Sequence, residues 1–189
     1  MIPEFIDFCR QLFPSINPYT AEQAKRVMSQ FENINSPILA SKSYDFDLLQ
    51  GDIFTEIPFL YIDRSGEVRK AIFKAQLLSN TCDATRDDNL IFAAVQSLDD
   101  FCNNPGMIQG IRANKRFNAF YLPDEITKNY FVNFELLTTI NRETFIELYN
   151  KKLVNRIATL TSVGYYMLIS KLTVFFMRPE DMETNDSRV

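Results

Sequence analysis

The strongest constraint on this chain lies between Ile53 and Val95. Ile53–Ile62 and Val68–Leu78 are both rich in β-branched and aromatic residues, and Asp63-Arg64-Ser65-Gly66 between them supplies turn chemistry, with Gly66 able to take a positive φ. The two runs predict a hairpin. Asn80–Asn89 is polar and turn-like, and Leu90–Val95 is another short apolar run, so three consecutive antiparallel strands are expected. Ser97–Cys102 reads as a short helix with Leu98, Phe101 and Cys102 inward, broken by Asn103-Asn104-Pro105-Gly106. Phe117–Leu122 and Tyr130–Phe134 are the last strand candidates.

Helical periodicity flanks this β region on both sides, which makes the fold class α+β. Ile2, Phe5, Ile6, Cys9, Leu12 and Phe13 place one apolar stripe on a helix stopped by Pro14. Thr20 and Gln23 form a capping box for a second helix, with Ala24, Val27, Met28 and Phe31 inward. Near the other end, Asn141 is an N-cap for a helix over Arg142–Leu160, with Phe145, Leu148, Tyr149, Leu153 and Ile157 inward. Thr161 or Ser162 caps a last helix over Val163–Met177, apolar on several sides and therefore central to the core or docked on a partner. The stretch after Pro179 is polar and expected to fray.

At 189 residues the chain suits one domain, and 46% apolar with 23% charged residues is enough to bury a core. It holds 17 Phe and 8 Tyr but no His and no Trp. Without His there is no Ser-His-Asp triad, no Cys-His pair and no His-metal site, so those chemistries are excluded. Twenty basic against 24 acidic residues, a net charge of −4, argue against a surface that is basic throughout, while leaving a local basic patch open. Cys9, Cys82 and Cys102 are odd in number and widely spaced, which supports neither a disulfide framework nor a CxxC zinc site and fits a reduced, cytoplasmic setting. Met1 runs into Pro3, Glu4 and Asp7 without a basic and then apolar leader. No run reaches the roughly 18 apolar residues of a membrane span, since Ser170 and Lys171 interrupt the best one. No cofactor is expected.

The densest motif signal runs from Gly51-Asp52-Ile53 through Ile57-Pro58 and the Gly66 turn to Leu77-Leu78-Ser79-Asn80 and Ala93-Ala94-Val95. In this order Leu49–Leu98 resembles the PemK/MazF-like toxins, a family with a small SH3-like β-barrel whose members cleave RNA without a metal, many as dimers restrained by an antitoxin. The resemblance implies a small antiparallel SH3-like β-barrel flanked by N-terminal helices and a C-terminal helical pair. As one domain this gives helices over 1–35, a barrel core over 49–135, helices over 141–178 and a tail over 179–189. The family places an Arg-Pro pair shortly before its Leu-Ser-Asn, where this chain has Phe73 and Lys74, and a Thr or Ser after its later strand, where this chain has Gln96-Ser97. The family's catalytic Arg is therefore absent here, and an ammonium does not reproduce a bidentate guanidinium.

Three groups of residues carry candidate chemistry. Ser79, Asn80 and Cys82 lie in a polar turn; they either bond their own backbone or offer a reactive thiol, which would need a neighbour such as Arg86. Asp52 and Asp83 are the candidate catalytic carboxylates if the two meet at a barrel rim, and with Asp87 and Asp88 they match no EF-hand spacing, so no metal site is assigned. Arg112, Lys115 and Arg116, interleaved with Phe117, Phe120 and Tyr121 and extended by Lys70 and Lys74 on the second hairpin strand, have the composition of a single-strand nucleic-acid surface. Their alternative role is as solvated basic side chains on an edge strand above inward-facing rings.

Three functions follow from these readings. The first is a non-catalytic interaction module binding a protein partner or itself, as an accessory protein of a toxin or defence system. The second is a metal-independent RNA-cleaving toxin or a degenerate relative of one. The third is single-stranded nucleic-acid binding without cleavage.

Overall fold

The computed structural model describes residues 37–40, 48–123 and 129–176. The expected N-terminal helices over 1–35 and the tail over 179–189 lie outside the described residues. The hairpin forms as predicted, with strand β2 (Ile53–Ile62) antiparallel to β3 (Val68–Leu77) and Ile62 opposite Val68. Asp63 clamps its turn. Its Oδ1 accepts from the Ser65 amide at 2.8 Å, the Ser65 hydroxyl at 2.5 Å and the Glu67 amide at 3.1 Å, while Oδ2 accepts from Arg69 Nε at 2.6 Å. These bonds, the Ser65 hydroxyl first and Arg69 next, hold the Asp63 carboxyl down to about 2. Gly66 takes φ +83°, the positive value that the turn needs.

Short helix α1 (Thr81–Ala84), capped by the Asn80 side chain, leads into β4 (Asn89–Ser97), which pairs with β3. Helix α2 (Leu98–Phe101) follows, and Asn103-Asn104-Pro105-Gly106 then ends it and starts another helix that the sequence reading took only as a break. In α3 (Pro105–Arg112), Asn104 Oδ1 accepts from the Gly106 amide at 3.0 Å and the Met107 amide at 3.2 Å, and Pro105 opens the helix, where its missing N–H costs nothing. Leu98 is buried as expected, but Phe101 is exposed, its ring resting edge-on against Phe131 at 4.9 Å. Strands β5 (Ala119–Leu122) and β6 (Tyr130–Asn141) complete a second hairpin, β6 pairing with β4 on either side of an irregularity at Phe134, Glu135 and Leu136.

The predicted helix over Arg142–Leu160 is corrected by the structure: it divides into α4 (Arg142–Asn150) and strand β7 (Arg156–Leu160). Asn141 caps α4 as expected, accepting from the Thr144 amide at 3.2 Å, but Lys152 takes φ +57° and turns the chain out of the helix. Residues Leu153 and Ile157 therefore leave the helical face assigned to them, and Leu153 is exposed. β7 inserts between β2 and the two-residue strand β1 (Leu39–Ala40). The last helix, α5 (Ser162–Phe176), is capped by the Thr161 hydroxyl, which accepts from the Gly164 amide at 3.1 Å.

The seven strands of the described residues are each antiparallel to their neighbours in the order β1-β7-β2-β3-β4-β6-β5. Among the described residues the ladder does not close, so the fold is α+β with an open sheet. Closure is missing because a helix takes the place of a pairing: α5 packs against both β5 and β7 and sets Leu168 into the core formed by Ile53, Val95, Phe120, Leu122 and Val132. The other face of the sheet is covered by α4 and α1. There Phe54 meets Phe92, Phe145 and Tyr149 edge-on with centroids 6.1, 5.1 and 6.0 Å away. Among the described residues six Phe rings, those of residues 54, 92, 120, 131, 134 and 145, are fully buried. Among the described residues no helix is long and apolar enough to cross a membrane.

Candidate functional site

The β2–β3 hairpin is longer than the sheet that holds it. β7 pairs with β2 only at Ile53 and Phe54, and β4 pairs with β3 only from Lys74 to Leu77. Ile57–Ile62 and Val68–Phe73 therefore form a two-stranded arm in which each strand has the other as its described ladder partner, while Ile57 and Phe59 stay buried in the core on one face. Period two sorts the arm's side chains. Phe59 and Phe73 pack together on one face at 5.4 Å. The opposite face carries Pro58 across from Ile72, Leu60 across from Lys70 and Ile62 across from Val68. Its four aliphatic residues are 61–71% exposed. With the other face buried in the core, this exposed apolar face is a candidate contact region.

At the base of the arm β4 stops at Ser97 and the chain turns away into α2, which opens a cavity of about 280 Å³ beside β3. Its walls come from Ile72, Phe73 and Lys74 of β3, Val95–Ser97 of β4, Asp100 and Phe101 of α2, and Tyr130 of β6. Lys74 Nζ stands 4.2 Å from the centre of the Tyr130 ring, a cation–π contact. The groove thus gathers Phe73-Lys74 and Gln96-Ser97, the two places where the sequence departs from or matches the family pattern, and it is continuous with the apolar face of the arm through Ile72.

The remaining candidates lie elsewhere. Asp52 is fully buried rather than at a rim, which removes it as an accessible base. Its Oδ2 accepts from Arg156 Nη1 at 2.9 Å and the Leu49 amide at 3.0 Å, and its Oδ1 accepts from the Thr159 hydroxyl. Asp83 is instead partly exposed, paired with Arg86 at 2.9 Å, so the two carboxylates have different surroundings. Arg86 Nε also donates to the Cys82 carbonyl at 3.0 Å. Ser79 Oγ accepts from the Ile91 amide at 2.9 Å and Asn80 Oδ1 from the Cys82 amide at 2.9 Å, the backbone roles open to such a turn. The exposed Cys82 thiol neighbours a second cleft of about 240 Å³ between Gln50, Thr81 and Tyr165, where burial, followed by Tyr166 and Cys82, pushes the Tyr165 hydroxyl up. Among the described residues no group of three or more Cys, Asp or Glu side chains is placed to hold a metal ion.

Arg112, Lys115 and Arg116 are exposed at the C-terminal end of α3 and in the turn after it, not on an edge strand. Arg112 Nε donates to Asn129 Oδ1 at 3.2 Å. Phe120 is fully buried in the core, so its ring is unavailable to a base. Tyr121 is half-buried, its hydroxyl donating to Asn129 Oδ1 at 3.3 Å. Lys171, which the sequence reading saw only as an interruption, ties α5 to this turn by donating to the Asn114 and Arg116 carbonyls at 2.6 and 2.7 Å, and burial pulls its amine from 10.5 to about 8. Tyr130 was also missed as a site residue, because its role depends on a cation from a different strand.

No family model matches the chain, and no curated protein matches it. The crystal structure of MazE-MazF (Form-II) from Deinococcus radiodurans is similar at 12% identity and a TM-score of 0.41, covering 71% of this chain and 100% of that one. MazF is one of the toxins that Leu49–Leu98 resembles, and nothing about activity follows from so distant a likeness.

Proposed function

We propose that this protein is a non-catalytic interaction module that binds a protein partner through the β2–β3 arm. The observation that carries the reading is the arm's exposed face of Leu60, Ile62, Val68 and Ile72. Covering the exposed part of these four side chains is worth roughly 1–2 kcal/mol each, of the same order as the cost of association, so the contact also needs polar complementarity. Under this reading the working compartment is reducing and cytoplasmic, with Cys82 and Cys102 kept as thiols. Nucleic-acid binding draws support from exposed Arg112, Lys115 and Arg116, but with Phe120 in the core its stacking platform is reduced to half-buried Phe117 and Tyr121.

The test is affinity purification of the full chain from its native cells, followed by rebuilding the complex from purified components. The wild type should hold a defined partner that Leu60→Ser with Ile62→Ser releases, the variant keeping its far-UV spectrum and melting temperature. A wild type that emerges alone and monomeric, or a partner retained equally by the variant, would sink the reading.

A further inference from the structure

We infer that the free edge of β3, from Val68 to Phe73, accepts an extended acidic-and-apolar segment of the partner protein as an added β-strand. This rests on the interaction-module reading and names the partner's chemistry and its mode of binding. The edge is open because β4 reaches only as far as Lys74 along β3. Beyond that point β4 is drawn off by α2, whose Leu98 is fully buried and donates its amide to the Asn129 carbonyl at 3.0 Å. Backbone groups of β3 facing away from β2 along this stretch have no described strand to pair with, and an open ladder is a template for another strand. The cavity beside Ile72, Phe73 and Lys74 gives that strand a place to enter.

The side chains specify what the strand should carry. Along one face β3 reads Val68, Lys70, Ile72, Lys74, alternating apolar and cationic residues at period two. A strand laid beside it sets its own side chains across from these, and unlike charges opposite one another stabilise the pair. Neither lysine has an ion pair among the described residues, whereas Arg69, on the other face, is already paired with Asp63 and Glu67 at 2.6 Å each. Acidic residues alternating with aliphatic ones match this row. A second copy does not match it, because two-fold pairing of this edge with itself sets Lys70 opposite another lysine or opposite Val68 or Ile72. Asp100 on the α2 wall repels an acidic side chain from that side of the groove and so keeps it over β3.

The probe is a set of capped, fluorescein-labelled peptides of about eight residues alternating Glu with Val, Ile or Phe, titrated into the full chain by fluorescence anisotropy. Expected are saturable binding, slowed amide exchange within Val68–Phe73, and a loss of about tenfold or more when Glu in the peptide becomes Lys or when Lys70→Glu and Lys74→Glu are introduced. N-methylation of alternate peptide residues reads the backbone without altering the protein: the phase that turns methyl groups toward β3 should abolish binding and the other should preserve it. The inference is overturned if no peptide saturates, if charge reversal changes nothing, if both methylation phases bind alike, or if the chain self-associates through this edge. Should the peptides fail while Leu60→Ser with Ile62→Ser still releases the partner, strand addition falls and the interaction module stands. Should that variant also keep its partner, both fall.

Discussion

The pair between Asp52 and Arg156 yields the sharpest energetic prediction. Asp52 is fully buried and the Arg156 side chain is only 12% exposed, so the carboxylate depends on the guanidinium for its counter-charge. Replacing Arg156 with Met keeps most of the apolar stem and leaves the carboxylate with only the Leu49 amide and the Thr159 hydroxyl. Removing one partner of such a pair typically costs about 3–5 kcal/mol, a large share of the roughly 5–15 kcal/mol that stabilises a domain. Asp52→Asn keeps one oxygen to accept from the Leu49 amide while its new NH2 can donate to the Thr159 hydroxyl, and should cost about 1.5–3 kcal/mol, the worth of a charge-assisted bond. The informative comparison is the double variant. With both charges gone the desolvation penalty also goes, so Asp52→Asn with Arg156→Met should be more stable than Arg156→Met alone. Urea unfolding followed by far-UV circular dichroism measures all four proteins, a suitable probe because the chain has no Trp. The reasoning is refuted if Arg156→Met lies within about 1 kcal/mol of wild type, or if the two single losses add to within about 0.5 kcal/mol.

Two further perturbations probe how α5 is seated. A Cβ at Gly164 would stand 2.3 Å from the Ile38 carbonyl oxygen, a backbone atom with little room to yield, so Gly164→Ala should cost about 1–3 kcal/mol and lower the melting temperature by several degrees; an unchanged melt would show that β1 does not hold the helix. Lys171 titrates at about 8 when folded against 10.5 when free, so between those values the unfolded chain holds the extra proton and stability rises with pH. The penalty of charging it is fully present below about pH 8. Melting temperatures from pH 8 to 10, below the range where Tyr165 and Tyr166 titrate, should rise more in wild type than in Lys171→Met, and parallel curves would reject the assignment.

Elements whose cause is local could be read from the sequence. The hairpin follows from Asp63, Ser65 and Gly66 acting within four residues of one another, and the starts of α4 and α5 follow from Asn141 and Thr161. The break between α4 and β7 could not be read. Leu148, Tyr149, Leu153 and Ile157 keep helical spacing across it, and the strand exists because β2 and β1 offer edges more than a hundred residues earlier. Asp52 was misplaced for the same reason: beside Gly51 it looks like a rim carboxylate, and only a distant arginine explains its burial. Lys74 was legible as a cation near the family's catalytic position, but the groove around it depends on where β4 ends. The surface role of Phe120 failed because strand parity in β5, invisible until β6 pairs with it, turns that ring inward.

The insertion of β7 between β1 and β2 also bears on how the chain is made. Asp52 and Arg156 are 104 residues apart, and a ribosome adding about 5–20 residues per second needs roughly 5–20 seconds to travel between them. During that interval the β2–β3 hairpin can form, but its carboxylate has no counter-charge and the first edge of β2 stays unpaired. Synthesis that halts before β7 leaves an acid where the core should close, together with a bare strand, and such fragments are natural substrates for chaperones and proteases. Completion of the sheet is therefore a checkpoint on full-length synthesis.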